Sequence, residues 1–453
     1  MSTMHHGNGY LWIPDSRRTP GGHVAVRRVP LLRLDPSGSG RLWGRHVCVK
    51  NGGEINEPAA EGGTRIIPIG DAMPNEEGDF LFEPGRGGGR IDKANGAGVS
   101  ASPAEFLESG VPYPEPEFRW RYIQAAHFGE VNTYFHLDLI AAYIDGLLRE
   151  LGAPSLPRVT AVVNAHHAVT ERKGVRDGVQ RGDRWLPFQG GHYRLPAAHY
   201  DLQEHEPISP DGEIHLGPGR NLLHYGALVE AAGGPYRANA SHNAGILYHE
   251  YGHHLTRHTA DFRANALQPS TRQNNRKAAI DEGTCDYFAA TMLGTAHIWA
   301  LHLRHDDEVV HPRSLSSSRT MADYDASPRA DAHANGTIWA TALWDLRTQL
   351  SHTLADGVRR TDLLVIRALL LLGQLVNESS GITVSGIRRL RKRFEIGAAA
   401  ILQADELLHS GQHRELIHAS FSRRGIEPED VCGWRLASEA RVAGHVASLS
   451  STD

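Results

Sequence analysis

Residues 245–258 spell GILYHEYGHHLTRH, and within them His249, Glu250 and His253 form the pattern H-E-x-x-H. The chain holds 28 histidines, so an accidental match has roughly a one in ten chance and the pattern needs structural support. Residues 244–256 are expected to be helical. On a helix, positions four apart share a face, so His249 and His253 can turn their imidazoles toward one ion with Glu250 beside it. His254 and His258 fall away from that face and are expected to be ordinary satisfied histidines. A catalytic metal site wants three protein donors and one open position. A histidine six residues past His253, with a glycine three past it, would be one source of the third donor, but Thr259 and Thr256 stand there. The stretch IDEGTCDYFAA offers carboxylates instead: Glu282 and Asp286 lie four apart at a predicted helix start. Glu282 can act as the third donor while Asp286 accepts the second ring N–H of a ligand histidine.

Composition limits the alternatives. With 453 residues, 40% hydrophobic and 22% charged, the chain has the makeup of a soluble globular protein. A net charge of −5 with mixed signs gives no continuous positive face, so nucleic acid is not expected as a partner. The longest apolar run, residues 363–376, is too short to span a bilayer and contains Arg367, so no membrane contact is expected. Three distant cysteines, Cys48, Cys285 and Cys432, favour a reducing compartment. The first twenty residues lack the apolar core of a secretory signal. The expected location is therefore the cytoplasm, or the exterior if a leader has been removed.

Along the chain, residues 1–115 are rich in Gly and Pro, with short apolar pieces such as HVAVRRVPLLRL and RLWGRHVCVK that are expected to be strands or an extended arm. EPGRGGGRIDKANGAGVS is too polar to pack. Residues 128–151 repeat apolar positions every three or four and end at Gly152, predicting a long helix. RVTAVV at 158–163 and EIHL at 213–216 are predicted strands. After Glu282 the pattern is helical through GTIWATALWDLRTQL, TDLLVIRALLLLGQLV and AAAILQADELL. The expected organisation is a β-rich region 1–115, an α/β part 116–262 with the H-E-x-x-H helix, a mainly helical part 263–440 with the third ligand, and a tail 441–453.

HEYGHHLT at 249–256, DEGTCDYFAA at 281–290 and DAHANGTIWATALWDLR at 331–347, in this order, resemble the thermolysin-type gluzincin metallopeptidases, and most closely the fungalysin-like family. FGEVNTYFHLDLIAAYIDGLLRELG resembles the helix preceding the catalytic region, IHLGPG the active-site edge strand, and AAAILQADELLHSGQHRELIHASFSRRGI the C-terminal helical end, so the likeness runs from about 120 to 430. It implies an α+β fold with a thermolysin-like (zincin) catalytic region, a mixed sheet and an all-helical C-terminal subdomain. It further implies Zn2+ held by His249, His253 and Glu282, Glu250 as general base toward a zinc-held water, and Asp286 behind a ligand histidine. His333 is implied as the donor to the oxyanion, with Asp331 to orient it. The substrate would be a peptide or protein; the oligomeric state stays open.

Two departures stand out. The interval from His253 to Glu282 exceeds that of thermolysin, and ANALQPSTRQNNRK is polar enough to be the inserted loop. No tyrosine lies between His254 and Asp286 to assist His333, which leaves Tyr324 or Tyr287 as substitutes. Two other readings remain: a dedicated intracellular peptidase that trims leader or precursor peptides, and a non-catalytic zinc-stabilised module that binds peptides.

Overall fold

The computed structural model describes residues 7–13, 25–35, 40–58, 64–83, 116–168, 185–187, 190–195, 208–217, 239–262, 278–298, 313–327, 330–375 and 393–429. The polar stretches around 84–100 and 264–277, the neighbours Asn221, His224 and Tyr225, and the tail 441–453 lie outside these residues. Within them the protein is mixed α and β.

The strands are β1 (Asn8–Ile13), β2 (Ala25–Pro30), β3 (Val47–Asn51), β4 (Glu54–Pro58), β5 (Thr64–Pro68), β6 (Val159–Val163), β7 (His166–Ala168), β8 (Trp185–Pro187), β9 (Gly191–Arg194) and β10 (Glu213–Leu216). The largest sheet runs β3-β6-β10-β9, with β3 and β10 parallel to β6 and β9 antiparallel to β10. The other strands pair as two-stranded ribbons. Val159, Ala161 and Val163 are buried while Thr160 and Val162 are not fully so, the alternation expected of a strand with one covered face. β3 belongs to the segment 1–115, so that segment supplies a strand to the same sheet as β6 and β10.

The helices are α1 (Pro116–Glu150), α2 (Ala244–Arg257), α3 (Ala279–Leu293), α4 (Ala332–Thr353), α5 (Gly357–Gln374), α6 (Phe394–His409) and α7 (Arg414–Ser422). α1 begins twelve residues before the periodic stretch from which it was expected. Its interior residues Phe128, Val131, Leu137, Ile140 and Ile144 are buried and carry that periodicity. α1 packs on β3 and on α2, where His136 Nδ1 meets Tyr248 Oη at 2.7 Å.

EIHL forms a strand where expected, but it is not an edge. β10 is bonded to β6 on one side and β9 on the other, so its backbone groups are committed. The outermost described strand on this side is β9, whose four residues GHYR are too short and too glycine-rich for periodicity to mark.

Helices α1, α3, α4 and α5 meet at one buried acid. Asp362 is wholly buried and accepts from Arg347 Nη1 at 3.0 and 3.1 Å, from Tyr287 Oη at 2.5 Å, and from Tyr143 Oη. A buried pair robbed of one partner leaves an uncompensated charge. Asp362→Ala is expected to destabilise the fold by about 3–5 kcal/mol, read as a lowered midpoint in urea unfolding at unchanged slope.

Candidate metal centre

α2 is entered through a short 3-10 turn, Ala240–His242, and is capped by Asn243, whose side chain accepts from the amides of Gly245 and Ile246. Its residues 245–256 are all buried. A helix this enclosed keeps polar side chains only where partners meet them. His254 is an instance: Nδ1 meets Tyr193 Oη at 3.1 Å and Nε2 the Pro157 carbonyl at 3.0 Å. Burial, then the charge of His258, pushes it down to about 3, so it is neutral. His258 reaches the Asp211 carbonyl at 3.1 Å. Neither faces the centre.

α3 lies against α2 and presents two rows of side chains four residues apart. Glu282 and Asp286 face His249: its Nε2 is 3.1 Å from Glu282 Oε2 and its Nδ1 is 2.7 Å from Asp286 Oδ1. Asp281 and Cys285 face the back of His253, with Nδ1 3.2 Å from Asp281 Oδ2 and 3.0 Å from Cys285 Sγ. His253 Nε2 comes within 3.5 Å of Glu282 Oε2. Asp281 is held in turn by Thr256, whose hydroxyl donates to Oδ1 at 2.6 Å.

α4 brings the last part. Asp331 caps it, accepting from the amide of His333 at 3.0 Å, and the same oxygen lies 3.0 Å from His333 Nδ1. The hydrogen bond from His333, ahead of the opposing effect of burial, draws Asp331 down to about 2. It stays ionised and makes Nδ1 the donor. His333 Nε2 then points forward, 3.1 Å from Glu282 Oε2. Capping and orienting are one arrangement here. Neither tyrosine suggested by the sequence stands beside His333 in a hydrogen bond: Tyr287 is spent on Asp362, and Tyr324 packs edge-on to Phe394 at 5.8 Å.

Three imidazole Nε2 atoms thus surround one carboxylate oxygen. Donors about 2.0–2.1 Å from a tetrahedral zinc are spaced roughly 3.3–3.4 Å from each other, and the separations of 3.1 and 3.5 Å from Glu282 to His249 and His253 fit that spacing. Cys285 with the two histidines also makes a compact donor group. It is the poorer one, because Cys285 meets His253 through Nδ1, the ring atom that Asp281 already engages, and His249 Nδ1 is taken by Asp286. Two imidazoles and a carboxylate are a donor set for zinc.

Sequence reasoning missed three contributors. Asp281 stands next to Glu282, and the i, i+4 signal of its neighbour masked it. Arg313 lies in irregular chain, where no periodicity marks it; its Nε and Nη2 grip Asp286 at 3.1 and 2.5 Å, and Nη2 lies 3.1 Å from His249 Nδ1. Burial would raise Asp286, but the Arg313 guanidinium and then His249 outweigh it and hold the carboxyl at about 2. The third is Gly191 on β9. A Cβ there would sit 2.7 Å from Glu250 Cγ, 2.8 Å from Ile246 Cγ2 and 2.9 Å from Glu250 Oε1. The edge strand therefore passes against the Glu250 side chain only because it has glycine at that point.

Residues 233–429 match the model of the fungalysin metallopeptidase family (M36). An extracellular metalloproteinase of Neosartorya fischeri is 27% identical over 238 residues, which is 48% of this chain and 34% of that protein. Extracellular metalloproteinases from two strains of Aspergillus fumigatus are 26% identical over the same extent. The chain spans about a third of the length of these relatives. Their extracellular character overturns the expectation of a cytoplasmic location, which rested on cysteine number and the makeup of the first residues, neither of which fixes where a protein works. Among the described residues, no helix is long and apolar enough to cross a membrane.

Two substitutions probe the geometry. Asp281→Asn is expected to weaken zinc binding roughly 10–100-fold, the usual cost of losing a carboxylate behind a ligand histidine, measured by competition with a chelator. Gly191→Ala is expected to leave zinc binding unchanged while displacing the Glu250 side chain, because a Cβ there would lie 2.7 Å from Glu250 Cγ, measured by chelator competition and by the variant's structure.

All the side chains of this candidate metal centre fall within residues 233–429, the stretch that is similar to the fungalysin metallopeptidase family.

Proposed function

We propose that the protein is a zinc metallopeptidase of the gluzincin type, cutting within peptide chains, with His249, His253 and Glu282 as metal ligands and Glu250 as general base. The observation that carries this reading is the convergence of His249, His253 and His333 on Glu282 Oε2, with Glu250 one residue from the first ligand and facing the edge strand. Bound zinc would polarise a carbonyl and acidify a water at neutral pH.

The protein's own groups do the rest. Among the described residues, nothing hydrogen-bonds the Glu250 carboxylate, so it is available to take a proton from the attacking water and hand it to the leaving amine. His333, with Nδ1 held by Asp331, aims Nε2 into the centre and, with a proton on both ring nitrogens, would donate from Nε2 to the oxyanion as the carbonyl becomes tetrahedral. Asp286 and Asp281 fix the two ligand rings from behind. β9, the last described strand on this side of the sheet, passes directly against the Glu250 side chain and so sets where a substrate can approach it. A purely structural metal site needs neither a free general base nor an oriented donor, so the peptide-binding module is the weaker reading.

The test is cleavage of an unbiased peptide mixture read by mass spectrometry, with Glu250→Gln and a chelated sample as controls. Cuts that disappear in both controls, with zinc retained by Glu250→Gln, are expected; a single favoured sequence among them would mark a dedicated processing enzyme. Cuts that persist in Glu250→Gln would remove it as the base. His333→Ala is expected to keep zinc and lower kcat by about 100- to 1,000-fold, corresponding to about 3–4 kcal/mol of barrier; an unchanged kcat would take His333 out of the mechanism.

A further inference from the structure

At the far end of the helical region, α6 stops at His409 and the chain turns through Ser410 and Gly411, both with positive φ of 52° and 73°. The turn brings His413, immediately before α7, back beside His409. The two rings lie 4.9 Å apart at 88°. His249 and His253 have nearly the same centroid distance and interplanar angle, 4.8 Å and 90°. Their support is alike too. Asp405, wholly buried on α6, accepts from the His413 amide at 2.9 Å and lies 2.7 Å from its Nδ1, as Asp286 does for His249 at 2.7 Å. A carboxylate in that place makes Nδ1 a donor and leaves Nε2 to face another partner.

His413 is 6% exposed, and its Nε2 is buried with no hydrogen-bond partner; the Nε2 of His409 is in the same condition. Folded proteins seldom leave two adjacent ring nitrogens buried and unsatisfied. An unsatisfied pair of imidazole nitrogens with a carboxylate behind one of them has the makings of a cation site.

We propose that His409 and His413 form a second binding site for a divalent transition-metal ion of the zinc, nickel or copper class, at the corner joining α6 and α7, with Asp405 orienting His413. Imidazole nitrogen suits these ions, and with two protein donors the remaining positions fall to water. The ion would clip the α6–α7 corner. The site lies outside the catalytic machinery and does not depend on the peptidase reading.

The test is calorimetric titration with Zn2+ of protein already holding one zinc per chain, repeated on His409→Gln and His413→Gln. Expected are a second zinc equivalent in the unaltered protein, a rise in Tm accompanying it, and loss of both in each variant while the first equivalent stays. His409 sits at the rim of the corner, so its substitution leaves the Asp405 contacts of His413 in place and guards against a result due to misfolding. A single equivalent in the unaltered protein, or a second equivalent that survives either substitution, would overturn the proposal.

Discussion

The centre depends on how closely three helices approach one another, and glycines set that distance. A Cβ on Gly252 of α2 would lie 2.7 Å from the Cys285 Cα on α3, and one on Gly283 of α3 would lie 2.3 Å from the Gly336 carbonyl on α4. A Cβ on Gly336 would lie 2.8 Å from the Gly283 amide nitrogen and 3.2 Å from Glu282 Cβ. With the backbones this near, side chains as short as histidine and glutamate reach a common point. Larger residues at any of these positions would part the helices and pull the ligands from one another.

The charges follow from the same packing. Two rows on α3, one residue out of step, meet the two histidines of α2: Asp286 lies behind His249, Asp281 and Cys285 lie behind His253, and Glu282 faces both. Several carboxylates in so small a buried volume would repel each other if left alone. Arg313 offsets Asp286, Thr256 donates to Asp281, and the histidines face what remains. A divalent cation held between the imidazoles and Glu282 would complete this balance, which connects the packing of glycines to the chemistry proposed for the site.

Much of this was legible in the sequence where a short-range pattern carried it. The 3.6-residue period marked α1 and α2, the four-residue spacing picked out His249 with His253 and Glu282 with Asp286, and the β-branched run marked β6. What escaped lacked such a pattern. β3 pairs with β6 across more than a hundred residues, a contact that no local spacing records. β9 is four residues long and begins with the glycine that matters, so the sequence points to EIHL as the edge although EIHL lies inside the sheet. Arg313 works from irregular chain, and Asp281 was overshadowed by Glu282 because adjacent residues on a helix point to neighbouring faces and only one of them belonged to the row being followed.

The central claim is the identity of the zinc donors, and X-ray absorption at the zinc edge of protein holding one zinc per chain tests it most directly. The account predicts a first shell of nitrogen and oxygen alone at about 2.0–2.2 Å, with zinc affinity lost on Glu282→Gln and retained on Cys285→Ser. A scattering shell at about 2.3 Å, the zinc–sulfur distance, that vanishes in Cys285→Ser would contradict it and place the ion behind His253 instead.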